Sequence, residues 1–127
     1  MRLSELLRNT PLAVRVAART VPPPVLVDRR EKEVGSLKGT IWIWRVKSSE
    51  GERYYRTEIW LDEGGNARVF CSCPYFRFHL YYALRRAGAL LARARGYQQA
   101  SSRPPRLKNP EMVPYLCKHL YACALRI

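Results

Sequence analysis

Two tight chelating pairs limit what this chain can fold into: Cys71 and Cys73 in C-S-C-P, and Cys117 and His119 in C-K-H, with 43 residues between them. A pair of ligands two residues apart makes one corner of a tetrahedral metal shell, and two such corners facing each other complete it. Zinc takes thiolate sulfur at about 2.3 Å and imidazole nitrogen at about 2.0 Å, four ligands in all. C-x-C…C-x-H fills that shell and leaves no open position for a substrate, which points to a structural zinc rather than a catalytic one. The fold must then bring residue 71 beside residue 117.

Backbone geometry sharpens the expectation. Residues i and i+2 of an α-helix point about 200° apart, so Cys117 and His119 cannot both ligate from mid-helix. Cys117 is expected just before a helix and His119 in its first turn, the helix running from about Lys118. Pro114 fits, because proline disfavours helix in the residue before it. Cys71 ends a strand-like run, Ala67-Arg68-Val69-Phe70, whose period of two puts Cys71 and Cys73 on one face and Ser72 on the other. Pro74 stops the strand and suits the first position of a helix.

Other readings of these residues stay open. Four cysteines also permit two disulfides, which need an oxidising compartment; no secretory signal peptide is visible, and Cys71 and Cys73 are too close to pair with each other easily. Cys123 reads as a small buried hydrophobe and is the reserve ligand if His119 does not bind. His79 makes C-x-C-x5-H with the first pair, although a histidine there more often sits on a helix face. A Cys/His nucleophilic pair would need a free thiolate and an orienting group, and metal ligation would consume both.

Strand signals precede the first pair. Thr40 to Lys47 alternates Ile41 and Ile43 with Trp42 and Trp44, all β-formers. Ser48 to Glu52 reads as a turn, Arg53 to Leu61 alternates again, and Asp62 to Asn66 reads as a second turn. The prediction is a β-meander whose last strand delivers Cys71, with an edge strand around Val25–Val27 or Lys32–Leu37. The aromatics Trp42, Trp44, Tyr54, Tyr55 and Trp60 can stack bases as in single-strand binders, although sheet aromatics more often pack. After Pro74 the apolar spacing Phe76, Leu80, Ala83, Leu84, Ala87, Leu90, Leu91, Ala94 predicts a helix ending at Gly96, followed by a loop over 97–114. Residues 2–9 form a short amphipathic helix candidate, and Leu12–Ala17 a strand or helix end. Val21-Pro22-Pro23-Pro24 reads as extended polyproline II. The fold class is therefore α+β: a small antiparallel meander followed by helices and stapled by one zinc. Residues 1–24 form an N-terminal arm and 25–127 the meander with its zinc module.

Charge is distributed unevenly. The formal net charge is +13; residues 1–63 carry 12 basic and 9 acidic side chains, residues 64–127 carry 11 and 1. The second half attracts phosphates, anionic surfaces or acidic protein faces, with Arg77, Arg85, Arg86, Arg93, Arg95, Arg103, Arg106 and Lys108 as the candidate partner surface. Eighteen arginines against five lysines suit bidentate phosphate or carboxylate contacts, and equally a GC-rich coding sequence. No apolar run reaches the 18 residues of a membrane span. No phosphate-cradling loop or paired carboxylates suggest an enzyme or a small-molecule substrate.

C-x-C-P, a long insert and C-K-H-L-Y resemble the SWIM-type zinc finger over roughly residues 66–124. More narrowly, C-S-C-P-Y-F-R-F, a Tyr/Ala/Leu helix and N-P-E-M-V-P-Y-L-C-K-H-L-Y resemble a SWIM-like module of small proteins in tailed bacteriophages. The insert is longer than in many such fingers, so the ligand set carries over rather than the detailed ββα arrangement. The resemblance implies zinc held by Cys71, Cys73, Cys117 and His119. It also implies a structural or adaptor role in a tail, baseplate or neck, docked on other virion proteins through the arm and the basic surface. The alternative is a nucleic-acid-binding SWIM module, working in the host cytoplasm rather than the virion, whose arginine-rich helix and loop track phosphates.

Overall fold

A computed structural model of the chain describes residues 1–92 and 109–127. The alternating β-branched and aromatic runs form the centre of a four-stranded antiparallel sheet in the order β1-β2-β3-β4, with β1 Val25–Val34, β2 Leu37–Lys47, β3 Tyr54–Asp62 and β4 Ala67–Cys71. The meander therefore has one strand more than its three clearest signals. β1 runs ten residues with a bulge between Leu26 and Asp28, which leaves residues 28–34 as its regular stretch, and the chain reverses at Gly35-Ser36 within the stretch suggested as an alternative edge.

Period two sorts the side chains onto two faces, and register pairs them across strands. Ile41 opposes Trp60, and Glu58 stands between Ile43 and Phe70; on the other face Ile59 opposes Val69 and Thr57 opposes Cys71. Ile41, Ile43, Trp60 and Phe70 are buried, and so are Trp44, Val46, Ile59 and Val69. Both faces are thus covered, which makes Trp44 and Trp60 packing residues and removes them from any base-stacking platform. Gly39 lets Trp60 lie flat across β2. A Cβ there would overlap the Leu61 carbonyl oxygen and come within 2.7 Å of the indole, whose Nε1–H donates to the Lys32 carbonyl at 2.9 Å.

Among the described residues four α-helices complete the α+β fold: α1 Leu3–Asn9, α2 Leu12–Ala18, α3 Tyr81–Arg86 and α4 Lys118–Ala124. Residues 1–24, expected as an arm, are docked on the domain. Leu6 is fully buried, the Leu3 N–H donates to Gly65 O at 3.0 Å, and the Ala67 N–H donates to Met1 O at 2.8 Å. α2 packs on α4.

The insert helix is shorter than its apolar spacing suggests. The chain is helical from Pro74, passes through a π-helical turn at Phe76–Leu80 and ends α3 at Arg86. Gly88 takes φ +69°, Ala89 N–H donates to Leu84 O at 2.9 Å, and Gly88 N–H to Arg85 O at 3.1 Å. This is a Schellman stop, which needs the left-handed conformation that glycine adopts freely. Leu90 and Leu91 then leave the helix pattern: Val69 N–H donates to Ala89 O at 2.8 Å and Leu91 N–H to Val69 O at 3.1 Å, a parallel bridge along β4. The predicted end at Gly96, with Ala94, lies outside the described residues.

Candidate metal centre

β4 and α4 bring the two chelating pairs together. Thr57 on β3 opposes Cys71 and also meets Cys123 of α4, Oγ1 to Sγ 3.2 Å, so Cys71 lies on the sheet face that α4 covers. Ser72 continues the ladder: its N–H donates to Arg56 O at 3.1 Å, and its hydroxyl accepts from the Arg56 N–H at 3.0 Å. Cys71 and Cys73 then share a face, as period two requires. Cys117 is the N-cap of α4, extended at φ −70° and ψ 167°, and His119 occupies the first turn, as the helix geometry predicted.

The ligand atoms of Cys71, Cys73, Cys117 and His119 all lie within 4.8 Å of one another. Tetrahedral thiolates at about 2.3 Å would sit roughly 3.8 Å apart, so small side-chain rotations close the shell. All four residues are buried, at 1%, 1%, 0% and 3% exposure. Two observations fit a bound cation. Both ring nitrogens of His119 are buried without a hydrogen-bond partner, which costs about 1–3 kcal/mol per unsatisfied group and is relieved when one nitrogen ligates. Three buried thiols gathered at one point are also a poor apolar core and a good soft-donor set. Burial pushes the Cys71 and Cys117 thiols well up, whereas hydrogen bonds with the Cys117 and Cys71 sulfurs hold Cys73 well down. These four residues could therefore hold a metal ion. The Phe76 N–H, 3.4 Å from the Cys73 sulfur, supplies the outer hydrogen bond that a ligating thiolate accepts.

The two reserve ligands are engaged elsewhere. His79 stacks on Tyr75 with ring centroids 3.9 Å apart, and its Nδ1 is 3.2 Å from Tyr75 O. The Cys123 sulfur keeps to Thr57, and burial pushes its thiol up to about 12. All four cysteines are free thiols rather than disulfides.

Sequence reasoning missed the residues that aim Cys117. Thr10 is buried at 2% exposure; its hydroxyl donates to Leu6 O at 2.8 Å and accepts from the Leu116 N–H at 3.2 Å. Asn109 bridges His79 O and Val113 O, each at 3.0 Å, and accepts from the Val113 N–H at 3.1 Å. Tyr115 meets Tyr75 hydroxyl to hydroxyl at 2.7 Å. The Asn109-Pro110 dipeptide was the available signal, because Asn-Pro marks turns; a lone threonine after a short helix offers none. An apolar cleft of about 480 Å³ opens beside the cluster, bordered by Val14, Ala17, Tyr55, Pro74, Lys118 and His119.

The basic surface is only partly placed. Arg85 and Arg86 are exposed at the end of α3, and Arg77 is half-buried, its guanidinium 5.5 Å over Phe78. Arg93, Arg95, Arg103, Arg106 and Lys108 lie outside the described residues. On the sheet, Arg45 stacks at 3.9 Å over Tyr54 and Arg29 at 5.5 Å over Trp42. The cluster is compatible with a zinc finger. No known protein family, no curated protein and no solved structure matches this chain.

Proposed function

We propose that the chain is a zinc-stabilised structural module whose basic surface docks on acidic faces of neighbouring proteins, in a bacteriophage particle by the SWIM-like resemblance. The observation that carries this reading is the closed donor set: three thiols and one imidazole, all buried, in the ligand combination of structural zinc. Four protein ligands leave no fourth position for water or substrate, so the metal serves folding rather than catalysis and the chain is not an enzyme. The virion setting rests on the likeness of C-S-C-P-Y-F-R-F and P-Y-L-C-K-H-L-Y to SWIM-like phage proteins. The second reading, a nucleic-acid-binding SWIM module, is favoured by the net charge of +13 and by the arginines stacked on Tyr54 and Trp42.

One experiment separates these readings: metal analysis of the purified chain together with DNA binding as a function of salt. One zinc per chain with weak binding that salt abolishes supports the adaptor. One zinc with tight binding near physiological salt moves the assignment to nucleic acid, since phosphate contacts set the salt slope. A chain without zinc overturns both.

A further inference from the structure

β1 is the open edge of the sheet. The opposite edge, β4, is occupied by the Val69–Leu90 bridge and by the Arg2–Asn66 bridge, whereas among the described residues nothing pairs with the outer side of β1. Eight of its ten residues are exposed, and only Asp28 and Val34 are half-buried. Val25, Leu26 and Val27 are 61%, 49% and 61% exposed. A long open edge is a template for pairing with another strand.

The charges on this edge identify the strand that fits. Residues 28–33 read Asp-Arg-Arg-Glu-Lys-Glu, neutral in sum within a molecule of net charge +13. Self-repulsion opposes association elsewhere on the surface, and β1 is where two copies can approach without it. We infer that the chain forms a two-fold dimer by antiparallel pairing of β1 with β1 of a second copy, centred on Arg30. A perpendicular two-fold sets each residue at the axis opposite itself. Centring on Arg30 places Asp28 opposite Lys32 of the other copy and Arg29 opposite Glu31, four opposite-charge contacts across the pair. Cross-strand pairs of this kind are worth roughly 0.2–1 kcal/mol each. Arg30 brings its own counter-ion to the axis, since it is ion-paired with Asp28 of its own chain.

Register must move in steps of two to keep the faces matched, and both neighbouring registers are worse. Every register sets one charge against itself, but the neighbours keep only two opposite-charge contacts instead of four: one step toward the hairpin keeps Arg29 opposite Glu33 and adds two Arg30–Lys32 repulsions, and one step away keeps Asp28 opposite Arg30 and sets Glu31 against Val27. This inference is independent of the metal and of the proposed adaptor role.

Sedimentation equilibrium on the full, metal-loaded chain tests it. The wild type should show twice the chain mass of 14.8 kDa and Arg29→Glu the single mass. The charge swap Arg29→Glu with Glu31→Arg should restore the doubled mass. A monomeric wild type, a dimeric Arg29→Glu or a monomeric swap each overturns the register. Should Arg29→Glu misfold, a second measurement decides. Arg30→Cys faces its own copy across the axis at a separation a disulfide spans, so mild oxidation should link it into a dimer while Glu33→Cys stays unlinked. The opposite ranking overturns the proposal.

Discussion

The four cysteines divide into two kinds, three in the cluster and Cys123 outside it. Cys117 caps α4 and belongs to the cluster, so Cys117→Ser should lose the metal and unfold the C-terminal half. Structural zinc is worth about 10–16 kcal/mol in finger peptides against about 5–15 kcal/mol of net stability for a domain. Metal analysis with circular dichroism checks this, and a variant that keeps its metal and its Tm refutes the ligand assignment. Cys123 touches Thr57 instead of the cluster, so Cys123→Ala should keep the metal stoichiometry. It should also change the alkaline limb of stability. Burial raises this thiol from 9.0 to about 12 in the folded chain, so the fold holds a proton that the unfolded chain releases. That stability is present below pH 9.0 and is lost as pH rises through about 12, at up to about 1.4 kcal/mol per pH unit. Urea unfolding across this window should show a shallower decline for Cys123→Ala than for the wild type.

At the scale of elements, α4 and the meander were legible because each rests on a strong local rule. The i, i+2 spacing of Cys117 and His119 forces a helix start between them, and Ile41 to Lys47 can alternate only as a strand. The insert was less legible because Leu90 and Leu91 fall on the same helical stripe as Leu80 and Leu84. Periodicity does not register that Gly88 reverses the chain and hands Leu90 to β4. β1 was legible only in part, since Asp28 to Glu33 lacks apolar alternation and the strand forms by pairing with β2 rather than by its own pattern. The N-terminal helices read as an arm because seven-residue helices are marginal alone; what holds them is tertiary, the buried Leu6, the backbone bonds of Leu3 to Gly65 and of Ala67 to Met1, and the packing of α2 on α4. Thr10 is where those helices meet the segment that carries Cys117. Thr10→Val should leave the Leu116 N–H buried without its partner and cost about 1–3 kcal/mol, read as a lower urea midpoint with the metal still bound.

For the whole molecule, a metal on the four-residue cluster would share the task of closure with the sheet. The meander is held by neighbours in sequence, whereas Cys71 and Cys117 meet through long-range contacts: the cluster, the packing of α4 and the Tyr75–Tyr115 and Asn109–His79 hydrogen bonds. Chelation should therefore unfold the C-terminal half at a lower temperature than it melts the strands. Acidification should act the same way, because ligation requires the thiol protons to leave and affinity falls as pH falls. Amide exchange before and after chelation checks both, and uniform protection after metal removal contradicts them. Among the described residues no helix is long and apolar enough to cross a membrane. The spacing of the two chelating pairs also has a consequence for biosynthesis. During translation Cys71 and Cys73 are made 46 and 44 residues before Cys117, so a nascent chain can complete its sheet while still offering only half a metal shell. A metal that needs all four ligands could then be held tightly only by a chain whose synthesis has passed His119, and termination before that point would leave a product unable to complete the shell at any metal concentration.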